Sequence, residues 1–256
     1  GYIVEGTGTL DVVNGGVVSG LITISSGGTV NVSAGGKVLS TTIFSGGLQT
    51  VFSDGAAVST TIDAGGGQVV DTGGVANATT IYSGGSEIVS TGGTDLGAQI
   101  SGGMQLVYGY ASGAGLVSGL QVVESGGSAA AIVVSGGTEI VSAGGQVFAT
   151  QTGVVIHDVS SFAGVVSNAG TISAGANGVI VTNVGVFAGT INNSGTISAG
   201  AVGILAVDDS YFAGGMTNAG SISASVGVEA DSVSTFAGGM ANNGTIVAAS
   251  GVRAFD

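Results

Sequence analysis

The stretch Ser45-Gly46-Gly47-Leu48-Gln49-Thr50-Val51, with Thr60-Thr61-Ile62 behind it, decides the fold. Ile62 lies nineteen residues after Ile43, and Ile24, Ile43, Ile62, Ile81 and Ile100 all keep that interval. Gly-Gly pairs follow at Gly27-Gly28, Gly46-Gly47, Gly65-Gly66 and Gly84-Gly85, and at Gly102-Gly103 after a copy one residue short. A Val column (Val32, Val51, Val70, Val89, Val107) and a Thr column (Thr41, Thr60, Thr79) run through the same copies. Within a copy, apolar residues alternate over short runs bounded by Gly, Asn or Ser. That is strand periodicity with turn punctuation, and no run has the 3.6-residue period of a helix. A unit this short cannot bury its apolar face alone, but stacked copies can. Each coil then pairs with the next through parallel ladders about 4.8 Å apart, and like residues lie above like. The Gly-Gly pairs belong at corners, where the backbone needs positive φ.

A longer repeat takes over near His157. Phe162, Phe187, Phe212 and Phe236 each open a Phe-Ala-Gly triplet, at intervals of 25, 25 and 24 residues. Asn168, Asn193, Asn218 and Asn242 follow six residues behind, and Ile172, Ile197, Ile222 and Ile246 ten behind. The sequence therefore predicts an all-β protein, a β-solenoid of the right-handed parallel β-helix type with stacked coils. It has two continuous blocks, 1–156 with the shorter repeat and 157–256 with the longer. The Phe and Asn columns are expected to be structural ladders, since stacked rings and amides stabilise such arrays.

Composition agrees. Of 256 residues, 53 are Gly and none is Pro, Cys or Trp, so the Pro-rich three-residue pattern of collagen is excluded. A hydrophobic fraction of 44% argues against disorder. Lys37 and Arg253 are the only basic residues, and the net charge is −13, which excludes nucleic-acid binding by charge neutralisation and docking to anionic lipid. Gly, Ser, Thr or Asn interrupts every apolar run, so no membrane-spanning helix is expected. The chain opens at Gly1 with no signal-peptide pattern and is expected to be a mature or excised segment of something longer.

Little in the sequence carries catalytic chemistry. The single His157 sits where the repeats join, and its neighbour Asp158 would point to the other side of a strand, so no acid–base pair is expected. A hydrolase would need carboxylates on neighbouring coils, and the best cluster is Asp208, Asp209, Glu229 and Asp231. A sugar groove would also need aromatic platforms, and only 5% of residues are aromatic. The expectation is that the chain is not an enzyme and has no cofactor. Glu229 falls in register with Arg253, which predicts an outward cross-coil ion pair. Asp158, Asn183 and Asp208 share one column, either a polar turn ladder or a stack of oxygens for Ca²⁺. The column Gln49, Gln68, Glu87 and Gln105 is either an amide ladder along the coils or a self-association ladder on the flank, contacting a second molecule.

The nineteen-residue unit, with Ser45-Gly46-Gly47-Leu48-Gln49-Thr50-Val51 and Thr60-Thr61-Ile62, resembles the AIDA-type repeat of self-associating autotransporter adhesins. The resemblance spans about residues 8–151. Residues 157–256 are similar, more loosely, to repeats of other large autotransporter-like surface proteins. It implies a β-helical passenger on the bacterial cell surface, held at the outer membrane through a C-terminal region or released. It also implies adhesion or biofilm formation through contacts with itself or with cell-surface glycans and proteins. The competing expectation is an extracellular filament built by end-to-end stacking of solenoids.

Overall fold

A computed structural model describes residues 1–255. The chain is all-β, a solenoid of parallel strands with no helix among the described residues, and it divides into two compact units, Gly1–Gln121 and Val122–Asp256. The change of repeat near His157 therefore lies inside the second unit. Among the described residues, no helix is long and apolar enough to cross a membrane.

In the first unit a coil is three short strands, as in Ile22–Ile24, Thr29–Val32 and Lys37–Leu39. Each pairs in parallel with its counterpart nineteen residues on: Ile24 with Ile43, Val32 with Val51, Val38 with Ala57. The Ile and Val columns are fully buried and fill the interior. The alternation inward and outward follows from the pleat, which turns successive side chains to opposite faces. The register slips once. Tyr82 lies opposite both Ser101 and Gly102, and the shortened coil sets Glu87 against Gln105.

The corners need both glycines of a pair, for different reasons. Gly46 has φ of 75°, the left-handed region that side chains avoid. Its neighbour Gly47 has no such φ, but a Cβ there would lie 2.7 Å from the carbonyl oxygen of Ile24 in the preceding coil. The expectation of positive φ thus explains the first glycine only. The second is a matter of backbone approach.

In the second unit the longer period has a simple origin. Coils such as Val179–Thr182, Val186–Phe187, Thr190–Asn193 and Thr196–Ala199 carry an added two-residue strand. Ser161–Phe162, Val186–Phe187 and Tyr211–Phe212 form a third, three-stranded sheet of their own. The chain enters that strand through a corner residue with φ near 55°: Asp158, Asn183, Asp208 and, in the last copy, Ser232. Asp and Asn tolerate this conformation better than most residues.

Candidate functional site

The Gln column of the first unit points inward. Val51 is buried, so Gln49, two residues earlier on the same strand, faces the same way. Gln49, Gln68, Glu87 and Gln105 are at most 1% exposed, and they stand one above another in register. Gln68 Nε2 donates to Gln49 Oε1 at 2.9 Å, and Gln121 Nε2 donates to Gln105 Oε1. The buried Thr column completes the network: Thr60 donates to Gln49 Oε1 at 3.1 Å and Thr79 to Gln68 Oε1 at 3.1 Å. A side chain sealed in this way cannot touch a second molecule. The reading of this column as a self-association flank is therefore corrected, and the amide ladder stands.

The sequence reading missed a further acid in this interior. Asp95 occupies a column otherwise made of Val38, Ala57, Ala76 and Ala111, and it is fully buried. Gln105 Nε2 donates to both Glu87 Oε2 (2.7 Å) and Asp95 Oδ2 (3.0 Å). Burial pushes the Asp95 carboxyl up to about 6. Glu87 is pushed well above the usual carboxylate range by burial, with the nearby Asp95 charge adding to it.

The second unit fills its interior differently. Phe162, Phe187 and Phe212 are fully buried and stack face to face, with ring centroids 5.2 and 4.3 Å apart; Phe236 continues the stack at 4.8 Å. Gly189 makes this fit, because a Cβ there would sit 2.7 Å from the Phe162 ring. Asn168 Nδ2 donates to Asn193 Oδ1 at 2.7 Å, Asn193 to Asn218 at 2.6 Å and Asn218 to Asn242 at 2.7 Å. The first three of these Asn are buried, and Asn242 is exposed.

The exposed corner column behaves as a chain of polar turns. Asn183 Nδ2 donates to Asp158 Oδ1 at 2.5 Å, and His157 Nδ1 lies 2.8 Å from Asp158 Oδ2. Those two contacts hold the Asp158 carboxyl below its ordinary range. The expectation that Asp158 points away from His157 is overturned, because the strand ends at His157 and positive φ at Asp158 turns its side chain back. Among the described residues no three His, Asp or Glu side chains gather as a metal site would require.

The proposed carboxylate cluster does not converge. Asp209 is buried, accepts from the Val184 N–H at 2.9 Å and is pushed up to about 6 by burial, whereas Glu229 and Asp231 lie on the outward positions of their strand. Glu229 and Arg253 are in register as expected, yet their side chains form no ion pair among the described residues. At a solvated face such a pair gains little over separate hydration.

The outward surface offers what the interior does not. In the first unit the outward strand positions Leu48, Val69, Ile88, Met104 and Leu106 make an uncharged, largely apolar face. Exposed aromatic residues stand at the corners beside it: Phe44 and Tyr82 on one side, Phe52 and Tyr108 on the other. In the second unit the outward positions Thr171, Ser173, Thr196, Ser198, Ser221 and Ser223 form parallel rows of hydroxyl groups.

Both units thus present repetitive outward faces, and the repeat of the first is found in known proteins. Residues 43–85 match the family model described as adhesin of bacterial autotransporter system, probable stalk. Among solved structures, the adhesin repeat is accompanied by a likeness to a hyper-glycosylated TibA fragment, glycosylated by TibC. The identity is 27% and the TM-score 0.54, over 98% of this chain and 97% of that one. No curated protein matches the sequence. The stalk-model match and the TibA likeness support an adhesin role, at the cell surface or outside the cell.

Proposed function

We propose that the chain adheres by contact rather than catalysis, and that the outward face of the first unit is where a second copy docks. The observation that carries this is the uncharged face of Leu48, Val69, Ile88, Met104 and Leu106 on a chain of net charge −13. Two such chains repel each other, so close approach favours a flank without charges. Exposed apolar area rimmed by aromatic residues then supplies the attraction. Weak contacts repeated from coil to coil add up along the face, as linked binding events do. Display at the outer membrane through another region of the protein would set such faces side by side on neighbouring cells.

The test is sedimentation velocity of the purified chain with and without Leu48→Asp and Met104→Asp. The expected result is concentration-dependent association that strengthens with salt and is lost in the double variant, while the melting curve is unchanged. Association that persists in the variant would move the contact elsewhere. A monomer that instead binds glycan-coated or protein-coated surfaces would make the partner heterologous.

One observation favours a second property. The TibA fragment is described as hyper-glycosylated, and the hydroxyl rows of Thr171, Ser173, Thr196, Ser198, Ser221 and Ser223 present repeated, half-buried to exposed acceptor groups. Modification there would turn a flat hydroxyl face into a sugar-coated one. Intact mass of the protein from its native host, followed by peptide mapping of residues 165–225, checks it.

A further inference from the structure

Glu87 stands in a column of amides. In the regular coils before it, the amide N–H groups point towards the preceding rung, towards a neighbouring Thr hydroxyl, or both. Gln68 Nε2 reaches both Gln49 Oε1 (2.9 Å) and Thr60 Oγ1 (3.3 Å), and Gln49 Nε2 reaches Thr41 Oγ1 at 3.2 Å. A rung at position 87 should likewise donate to Gln68 and Thr79. Glutamate has no N–H, and as a carboxylate it can only accept. Its Oε1 is buried without a partner, as is Oδ1 of Asp95.

The surroundings offer no positive charge. Glu87 faces Gln68 on one side in register, Gln105 on the other, and Thr79 and Asp95 alongside. Asp95 lies between Ala76 and Ala111 in register, with Gln105 donating to its Oδ2. The only titratable groups in this cluster are the two acids themselves. The two basic side chains of the protein, Lys37 and Arg253, are both exposed. Two buried carboxyls that share one Gln105 amide cannot both ionise without leaving unpaired charge in a dry interior.

We propose that Glu87 keeps its proton at neutral pH and donates it as a neutral acid where the ladder lacks an amide N–H, so that the first unit takes up a proton on folding and is held more firmly in acid. The protonated side chain has nearly the shape of glutamine, so it continues the ladder instead of breaking it. The sign follows directly. The folded chain holds a proton that the unfolded chain releases above the ordinary carboxylate range. Stability is therefore greatest in acid and declines as pH rises through that range towards the higher one of the buried group. While one proton separates the two states, the unfolding equilibrium constant rises about tenfold per pH unit.

The experiment is denaturant unfolding of the full chain between pH 5 and 8, read by hydrogen exchange at amides of residues 80–107, for the native sequence and Glu87→Gln. The expected result is a first unit that loses protection as pH rises. In Glu87→Gln the loss is smaller and protection at pH 8 exceeds that of the native chain. An unchanged pH slope in Glu87→Gln, or lower protection at pH 8, overturns the proposal. Infrared spectra of the native chain at pH 7 give a check that needs no variant: a protonated-carboxyl band is expected, and its absence overturns the proposal. If a chelator lowers protection at pH 8, a cation rather than a proton neutralises the pair, which also overturns it.

Discussion

The two units wind the same kind of parallel coil but place their buried polar ladder in different columns. In the first, the position two residues before the inward Val is polar, and Gln49, Gln68, Glu87 and Gln105 bond to one another and to Thr60 and Thr79. In the second, the matching column passes from Glu139 to Val166, Ile191, Met216 and Met240, and the Phe stack is added. The polar core gains register from its hydrogen bonds, and every rung depends on its neighbours. The apolar column that replaces it in the second unit gains dispersion and burial, and its rungs exchange more freely, while the Asn column carries the hydrogen bonds there. Coil geometry is thus set by backbone pairing and corners, and the interior can be written in either chemistry.

The comparison can be broken at several points. Phe187→Ala should be the most costly change, about 3–5 kcal/mol in denaturant unfolding of the second unit, because it removes a buried ring stacked on both sides. Gln68→Met should cost about 1–3 kcal/mol in the first unit, since it leaves Gln49 and Thr79 with unmet bonds, whereas Met216→Leu in the second should cost under about 1.5 kcal/mol. Equal costs for the two would show that the polar ladder is passive filling. Asp209→Asn keeps the acceptor for Val184 and removes a carboxyl that burial has raised to about 6. The native Asp loses stability as pH climbs from the ordinary carboxylate range through 6, so the variant should be more stable at pH 8 by about 2 kcal/mol and equal at pH 4. The smallest effect is expected from Ca²⁺. With Asn183 turning its N–H to Asp158, millimolar Ca²⁺ should leave the melting of the second unit unchanged, and a rise would place a cation at the Asp158, Asn183 and Asp208 corner.

Much of this architecture is legible in the residues. The Ile, Val, Phe and Asn columns follow from spacing alone, and the observed register pairs Ile62 with Ile81 and Phe162 with Phe187 as the intervals require. The inward direction of Gln49 was also readable, because it lies two residues before Val51 on one strand and the pleat leaves no choice. Polarity left the flank open beside the amide ladder, and parity decides against it. Other features have no local signal. Asp95 meets Glu87 inside one coil, and Gln105 of the next coil donates to both, which a single repeat does not reveal. Asp158 meets His157 only because the backbone takes a left-handed turn after the strand. The second glycine of each corner answers to a carbonyl in another coil, which a single repeat does not contain.

The Phe stack has a consequence for observing the molecule. The protein has no Trp, so its near-ultraviolet spectrum comes from Tyr and Phe alone. Four of the five tyrosines belong to the first unit, and the stacked phenyl rings belong to the second. Parallel rings held at these separations couple their transitions, so their circular dichroism vanishes when the stack opens. Each half of the chain thus carries its own optical label, and the melting of one can be followed beside the other without attaching a dye.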